Sequence, residues 1–145
     1  MSVLPDPASL PCSPLDETAG LKYFPRMLGK IRLHEAGLLW EELKENLGKG
    51  SDAKCASFLH VAYDDLKARV LAGGSDEEVL RWCQEKGRPL NGTDLLVWNA
   101  YYSKLGWNDL TTPTLEQRKI ASGLAGRDDI ETMGHYIDVD EGRRP

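Results

Sequence analysis

The chain has 145 residues, with 18 Lys and Arg against 23 Asp and Glu for a net charge of −5, and 41% of it is hydrophobic. A chain of that size buries one core without metal or disulfide staples, and its apolar content excludes a collagen-like, mucin-like or wholly disordered polymer. The acidic balance argues against a nucleic-acid partner, which calls for a basic patch or excess.

Residues 1–14 carry Pro5, Pro7, Pro11 and Pro14. Proline fixes φ and lacks a donor, so this stretch is predicted to be an extended Pro-rich arm, ordered where it lies on the body. Residues 15–145 read as a single helical domain. Pro25 suits the first turn of a helix running to about Ala36. On it Leu28, Ile31 and Glu35 share a face with Leu38, while Arg26, Lys30 and Arg32 sit elsewhere; Gly37 either ends the helix or is crossed by it. Residues 40–49 are charged and close on Gly48-Lys49-Gly50, a loop signal. Asp52 is placed to cap a short helix with Cys55, Phe58 and Leu59. Leu66, Val70 and Leu71 follow up to Gly73-Gly74, in a helix that is either separate from the first near Tyr63 or continuous with it.

Ser75-Asp76-Glu77-Glu78 is a capping box ahead of Val79, Leu80 and Cys83, and Gly87 with Pro89 makes a stop. Asn91-Gly92-Thr93-Asp94 opens a helix with Leu95, Trp98, Tyr102 and Leu105 at core spacing, ended by Gly106. Thr112 before Pro113 reads as an N-cap with proline at the first helical position, opening a helix to about Ser122. A last amphipathic segment spans about Asp128 to Ile137. Alternating β-branched runs are absent. The predicted class is all-α, a compact bundle of about five to seven short helices.

Residues 128–145 hold six acids and two bases, a net of −4, which leaves −1 on the other 127 residues. Such an acidic C-terminal segment attracts basic partners or cations. Three cysteines (Cys12, Cys55 and Cys83) without a C-x-x-C spacing fit free thiols in a reducing compartment. No Lys or Arg precedes Lys22, no apolar run follows Met1, and no window approaches the roughly 18 apolar residues of a membrane span. These features predict a cytoplasmic protein without membrane association.

Several strings taken together resemble a known family: Leu47-Gly48-Lys49-Gly50, the run from Gly74 to Cys83, Val97-Trp98-Asn99, Lys104-Leu105-Gly106-Trp107, Ser122-Gly123-Leu124, Arg127-Asp128-Asp129-Ile130 and the run from Asp138 to Arg143. The family is bacterial and known as domain of unknown function 5069. The resemblance covers most of the chain after Leu15 and implies a compact helical domain. It implies no activity, cofactor or catalytic residue, and it does not reach Gly134-His135-Tyr136.

Two sets of side chains stand out chemically. Trp98, Tyr101, Lys104 and Trp107 place aromatics beside a polar rim, the composition of a binding surface for a protein or small ligand, although Trp98 and Tyr102 also read as core. Asp128, Glu131, His135 and Asp138 fall at i, i+3, i+7 and i+10, one stripe of a helix, where neighbours such as Glu131 and His135 could share a divalent metal. The ordinary reading of that stripe is a solvated face opposite Ile130, Met133 and Ile137.

Other patterns fall short. Gly48-Lys49-Gly50-Ser51 lacks the spacing of a phosphate loop, but amides at the start of the Asp52 helix could hold an anion; the plainer reading is a helix-linking turn. Asp138-Val139-Asp140-Glu141-Gly142 puts Gly where a calcium loop needs an oxygen ligand. A Cys55–His60 dyad has the residue types of a nucleophile and base, whereas Cys83 reads as a small core hydrophobe. The leading expectation is a protein- or ligand-binding or regulatory module that needs no cofactor. The alternative is a metal-assisted hydrolase or transferase built on the stripe.

Overall fold

The computed structural model describes residues 4–145. Helix α1 (Phe24–Glu35) is the element around which the others are placed. Phe24, Met27, Leu28 and Ile31 form one arc at helical spacing and are buried, and Arg26 and Lys30 on the next arc are buried too. The third side carries Gly29, whose missing side chain admits Pro11: a Cβ there would lie 3.2 Å from the Pro11 Cβ. The sequence places Arg26 and Lys30 off the apolar face, and in that it is right. Their exposure is not part of the result, because partners distant in sequence cover them.

Eight α-helices are present among the described residues: α1, α2 (Glu41–Lys44), α3 (Ser51–Phe58), α4 (Tyr63–Leu71), α5 (Asp76–Lys86), α6 (Gly92–Lys104), α7 (Thr112–Ala121) and α8 (Met133–Asp140). The helical class is as predicted, and the count exceeds five to seven because the charged run after Trp40 contains the single turn of α2. A two-stranded antiparallel hairpin, β1 (Glu17–Thr18) and β2 (Leu21–Lys22), precedes α1. Two residues per strand are too few to show alternation. Helix α1 packs on α4 and the hairpin, α6 on β2 and α8, and α7 on α8.

Local signals set most boundaries. Ser75 Oγ accepts the Glu78 amide at 3.2 Å, and the Ser75 amide donates to Glu78 Oε1 at 3.4 Å. Asn91 and Asp94 form a second reciprocal box with both bonds at 2.9 Å. Gly37, with φ of +73°, follows the end of α1. The α7 cap is Thr111, one residue before the predicted Thr112; Thr112 Oγ1 instead donates to the Gly106 carbonyl at 2.7 Å. Helices α3 and α4 are separate, turned by His60 at φ +59°.

The arm lies on the body from Leu4 onward; Met1, Ser2 and Val3 fall outside the described residues. Pro7–Ser9 make one 3-10 turn capped by Asp6. The Trp40 amide donates to the Ser9 carbonyl at 3.0 Å. Leu15 fills the space left by Gly134, where a Cβ would sit 2.8 Å from its Cδ2. No helix of the described residues is long and apolar enough to cross a membrane.

Gly87 has the least tolerant position. A Cβ there would stand 2.0 Å from the Leu59 carbonyl oxygen and 2.9 Å from that of His60. These are backbone atoms of two successive residues and cannot give way, so Gly87→Ala is expected to lose at least about 3 kcal/mol in urea unfolding, the upper end of overpacking costs. Gly126→Ala, with nothing within 4 Å of the new methyl, is expected to stay within about 0.5 kcal/mol. Equal stabilities for the two variants would contradict this packing.

Candidate functional site

Polar chemistry converges at the buried side of α1. Arg26 donates to both Glu141 oxygens, at 2.9 and 2.6 Å, and to the Cys12 carbonyl at 3.0 Å. Arg143 bridges Glu141 at 2.6 Å and Asp138 at 3.2 Å and also donates to the Pro11 carbonyl. Ser13 Oγ donates to the other Asp138 oxygen at 3.0 Å. One turn along α1, Lys30 Nζ donates to Asp52 Oδ2 at 3.0 Å, Tyr23 Oη to Asp52 Oδ1 at 2.5 Å, and the Gly48 amide to Oδ2 at 3.0 Å. Burial pulls the Lys30 ammonium below its ordinary pKa, with Asp52 opposing. Burial also opposes the Arg26 charge, but Glu141 outweighs it and the pKa ends above the usual value. The Tyr23 hydroxyl is pushed well up by burial and by Asp52.

Asp52 is therefore no helix cap. It is fully buried, and the helix start belongs to Gly50. The Gly48-Lys49-Gly50 segment is a turn linking α2 to α3, and the Asp52 carboxylate accepts its Gly48 amide. The network positions loop, arm and tail; Arg26, Lys30, Asp52, Asp138 and Glu141 are buried in it, and Arg143 forms its exposed edge.

The predicted binding surface is divided by the fold. Trp98, 4% exposed, is core: it stacks on Phe58 at 4.9 Å between centroids, and its indole N–H donates to the Lys22 carbonyl at 2.9 Å. Asn99 beside it accepts the Lys22 amide and donates to the Gly20 carbonyl, so Trp98-Asn99 holds the hairpin. Tyr101 is half-buried against Trp98, while Lys104 and Trp107 are exposed. The exposed apolar face of α6 is instead made by Leu96, Val97 and Ala100, with Tyr101 and Lys104 on the same side by spacing. Leu96 is 69% and Val97 59% exposed, and Trp107 (48%) and Leu110 (99%) are exposed in the turns after the helix.

The Asp128–Asp138 stripe does not form. Thr132 Oγ1 accepts the His135 amide at 3.2 Å and starts α8 at Met133, so Asp128 and Glu131 lie in the preceding turns. Those turns are fixed by the buried Ile130, whose carbonyl accepts Lys119 Nζ at 3.2 Å. Asp138 is taken up by Ser13 and Arg143. Asp128 and Glu131 border a small surface hollow with Trp107 and Glu116. Among the described residues no three His, Cys, Asp or Glu side chains are grouped to hold a metal ion. The acidic tail is also less available than its composition implies, because Asp138 and Glu141 are buried in ion pairs.

The Cys55–His60 pairing is not made available either. Cys55 is fully buried with its thiol pKa well above normal from burial, and Cys83 is raised to about 12 by the same cause.

A larger groove, about 510 Å³, was missed by sequence reasoning. It lies between the C-terminal half of α1, the Gly48 turn and the start of α4, bordered by Ile31, His34, Lys49, Tyr63, Asp64 and Lys67. Gly48 makes its floor: a Cβ there would press within 3.0 Å of the Tyr63 ring. The only sequence signal was the Gly-Lys-Gly turn itself.

Two outcomes test this description. Asp52→Asn leaves Lys30 without its buried counter-charge and is expected to lose about 3–5 kcal/mol in urea unfolding. Asp129→Asn breaks only the exposed pair with Arg127 and is expected to leave the midpoint unchanged; similar behaviour of the two would contradict the burial. At pH 8 the native thiols are expected to resist Ellman's reagent. Cys12, raised to about 11 by burial and then Asp16, should react about two orders of magnitude more slowly than a free thiol. Rapid labelling of Cys55 would overturn its placement.

No curated protein matches the chain. A family match spans residues 8–143, which takes in the arm from Ala8, the α1 network and the tail through Arg143. The chain belongs to the family described as Domain of unknown function (DUF5069).

Proposed function

We propose that the protein is a binding module that docks an amphipathic helix of a partner protein on the outer face of α6. The observation that carries this reading is the row of exposed apolar residues Leu96, Val97 and Ala100 along one side of α6, with Trp107 and Leu110 also exposed in the turns that follow the helix. Isolated apolar residues on a surface need no explanation, but a row of them along one side of a helix does. A helix flank with small Ala100 between larger neighbours suits ridge-into-groove packing by a second helix. Lys104, exposed at the end of the face, favours an acidic residue on the partner. Trp107, in the turn after the helix, is the kind of side chain that carries interface energy.

The test is a photo-cross-linker at Val97, with one at exposed Lys86 on α5 as control, followed by affinity measurements on the purified partner. The expected result is an adduct specific to Val97 whose partner binds at least about tenfold more weakly to the Leu96→Glu, Val97→Glu variant. Equal binding to that variant, or adducts that do not distinguish the two positions, would refute the assignment. A concentration-dependent doubling of mass that the variant abolishes would give the face to a second copy and refute a foreign partner.

A further inference from the structure

We infer that the groove between α1, the Gly48 turn and α4 is a binding site for a small organic phosphate, a dianionic head group on a short apolar body. It is a different surface from the α6 face and does not depend on the docking reading. Its size, about 510 Å³, lies in the range of small-molecule sites.

The walls divide by chemistry. Ile31, Leu47, Ala62 and the Tyr63 ring give an apolar side. Lys49 and Lys67 give a cationic side from two different elements, the turn and α4, with exposed His34 of α1 bordering it. Neither lysine makes an ion pair among the described residues, a state they share with Lys54 and Lys86, whereas Lys22, Lys30, Lys44, Lys104 and Lys119 are paired; of the four, only Lys49 and Lys67 line the groove. Asp64 is the one acid lining the groove, so two ammonium groups face one carboxylate on a protein whose overall charge is −5. A local positive field on an acidic molecule concentrates anions at that place. A dianion matches the lysine pair better than a carboxylate, and lysine serves phosphate as a point charge.

The site is also held in shape. The Gly48 amide is fixed to buried Asp52, and Gly48 lies close to the Tyr63 ring, which a Cβ at that position would approach to 3.0 Å. The Lys49 turn therefore does not need to be ordered by the ligand, which lowers the cost of binding.

Phenyl phosphate is the probe, followed by amide chemical-shift mapping and calorimetry, with inorganic phosphate and benzoate as comparisons. The expected result is saturable binding with shifts confined to Ile31, His34, Gly48, Lys49, Tyr63 and Lys67. Phenyl phosphate should bind more tightly than either comparison, since only it satisfies both walls. The Lys49→Ala, Lys67→Ala variant should lose about tenfold or more in affinity at unchanged melting temperature, because both side chains are exposed. Lys86→Ala should bind as the wild type does. No saturation at millimolar probe, shifts spread over other lysines, or equal affinity in the double variant would overturn the proposal. So would inorganic phosphate binding as tightly as phenyl phosphate, which would leave the apolar wall without a role.

Discussion

Two cations one turn apart on the buried side of a helix have to be neutralised inside the protein, and much of the arrangement around that helix follows from that requirement. An unpaired charge at either position would cost several kcal/mol, so each must bring an acid to it. Arg26 takes Glu141 from the far end of the chain, and Lys30 takes Asp52 from the start of α3. Each carboxylate is then completed by other donors, Arg143 on one and Tyr23 with the Gly48 amide on the other. Satisfying the remaining lone pairs is what makes a buried ion pair tolerable.

The same contacts explain how weakly structured segments become ordered. The proline arm has few backbone donors of its own, yet its Pro11 and Cys12 carbonyls accept from Arg143 and Arg26. Gly29 and Gly134 provide the shallow places where Pro11 and Leu15 rest. Tyr23 enters α1 at φ +74°, a conformation that costs a non-glycine residue about 1–2 kcal/mol. It is retained there by its hydroxyl on Asp52, by its ring 5.1 Å from that of Tyr102, and by its amide on the Asp16 carbonyl. The Tyr102 hydroxyl, buried beside it, has no hydrogen-bond partner among the described residues.

What the sequence made legible was local. The Ser75–Glu78 box is visible because its residues sit three apart and each supplies a partner for the other's amide. The apolar spacing of Leu95, Trp98, Tyr102 and Leu105 correctly marks the inner side of α6, and so marks Leu96 and Val97 as its outer side. The burial of Arg26 was not legible, because Glu141 lies 115 positions away. Asp52 has the residue type of a cap, and only the position of Lys30 shows that it turns inward. The final helix was misplaced because Asp128 and Glu131 continue an apparent period, while one hydroxyl, Thr132 Oγ1, sets the true start. The α6 face was half legible: Tyr101 and Lys104 share its side by spacing, Trp107 is exposed beyond the helix, and Trp98 belongs to the core. The α1–α4 groove required the tertiary fold, since its lysines are 18 positions apart on separate elements.

The central claim is that buried carboxylates on the α1 cations fix the surrounding loops and are not incidental to them. The Gly48 amide reports this most directly, because it lies in a turn between short helices and its hydrogen bond goes to Asp52. Native-state hydrogen exchange at that amide is predicted to proceed only through near-global unfolding, with the same opening free energy as the amides of α1. Exchange at the rate of an unprotected loop amide would contradict the account.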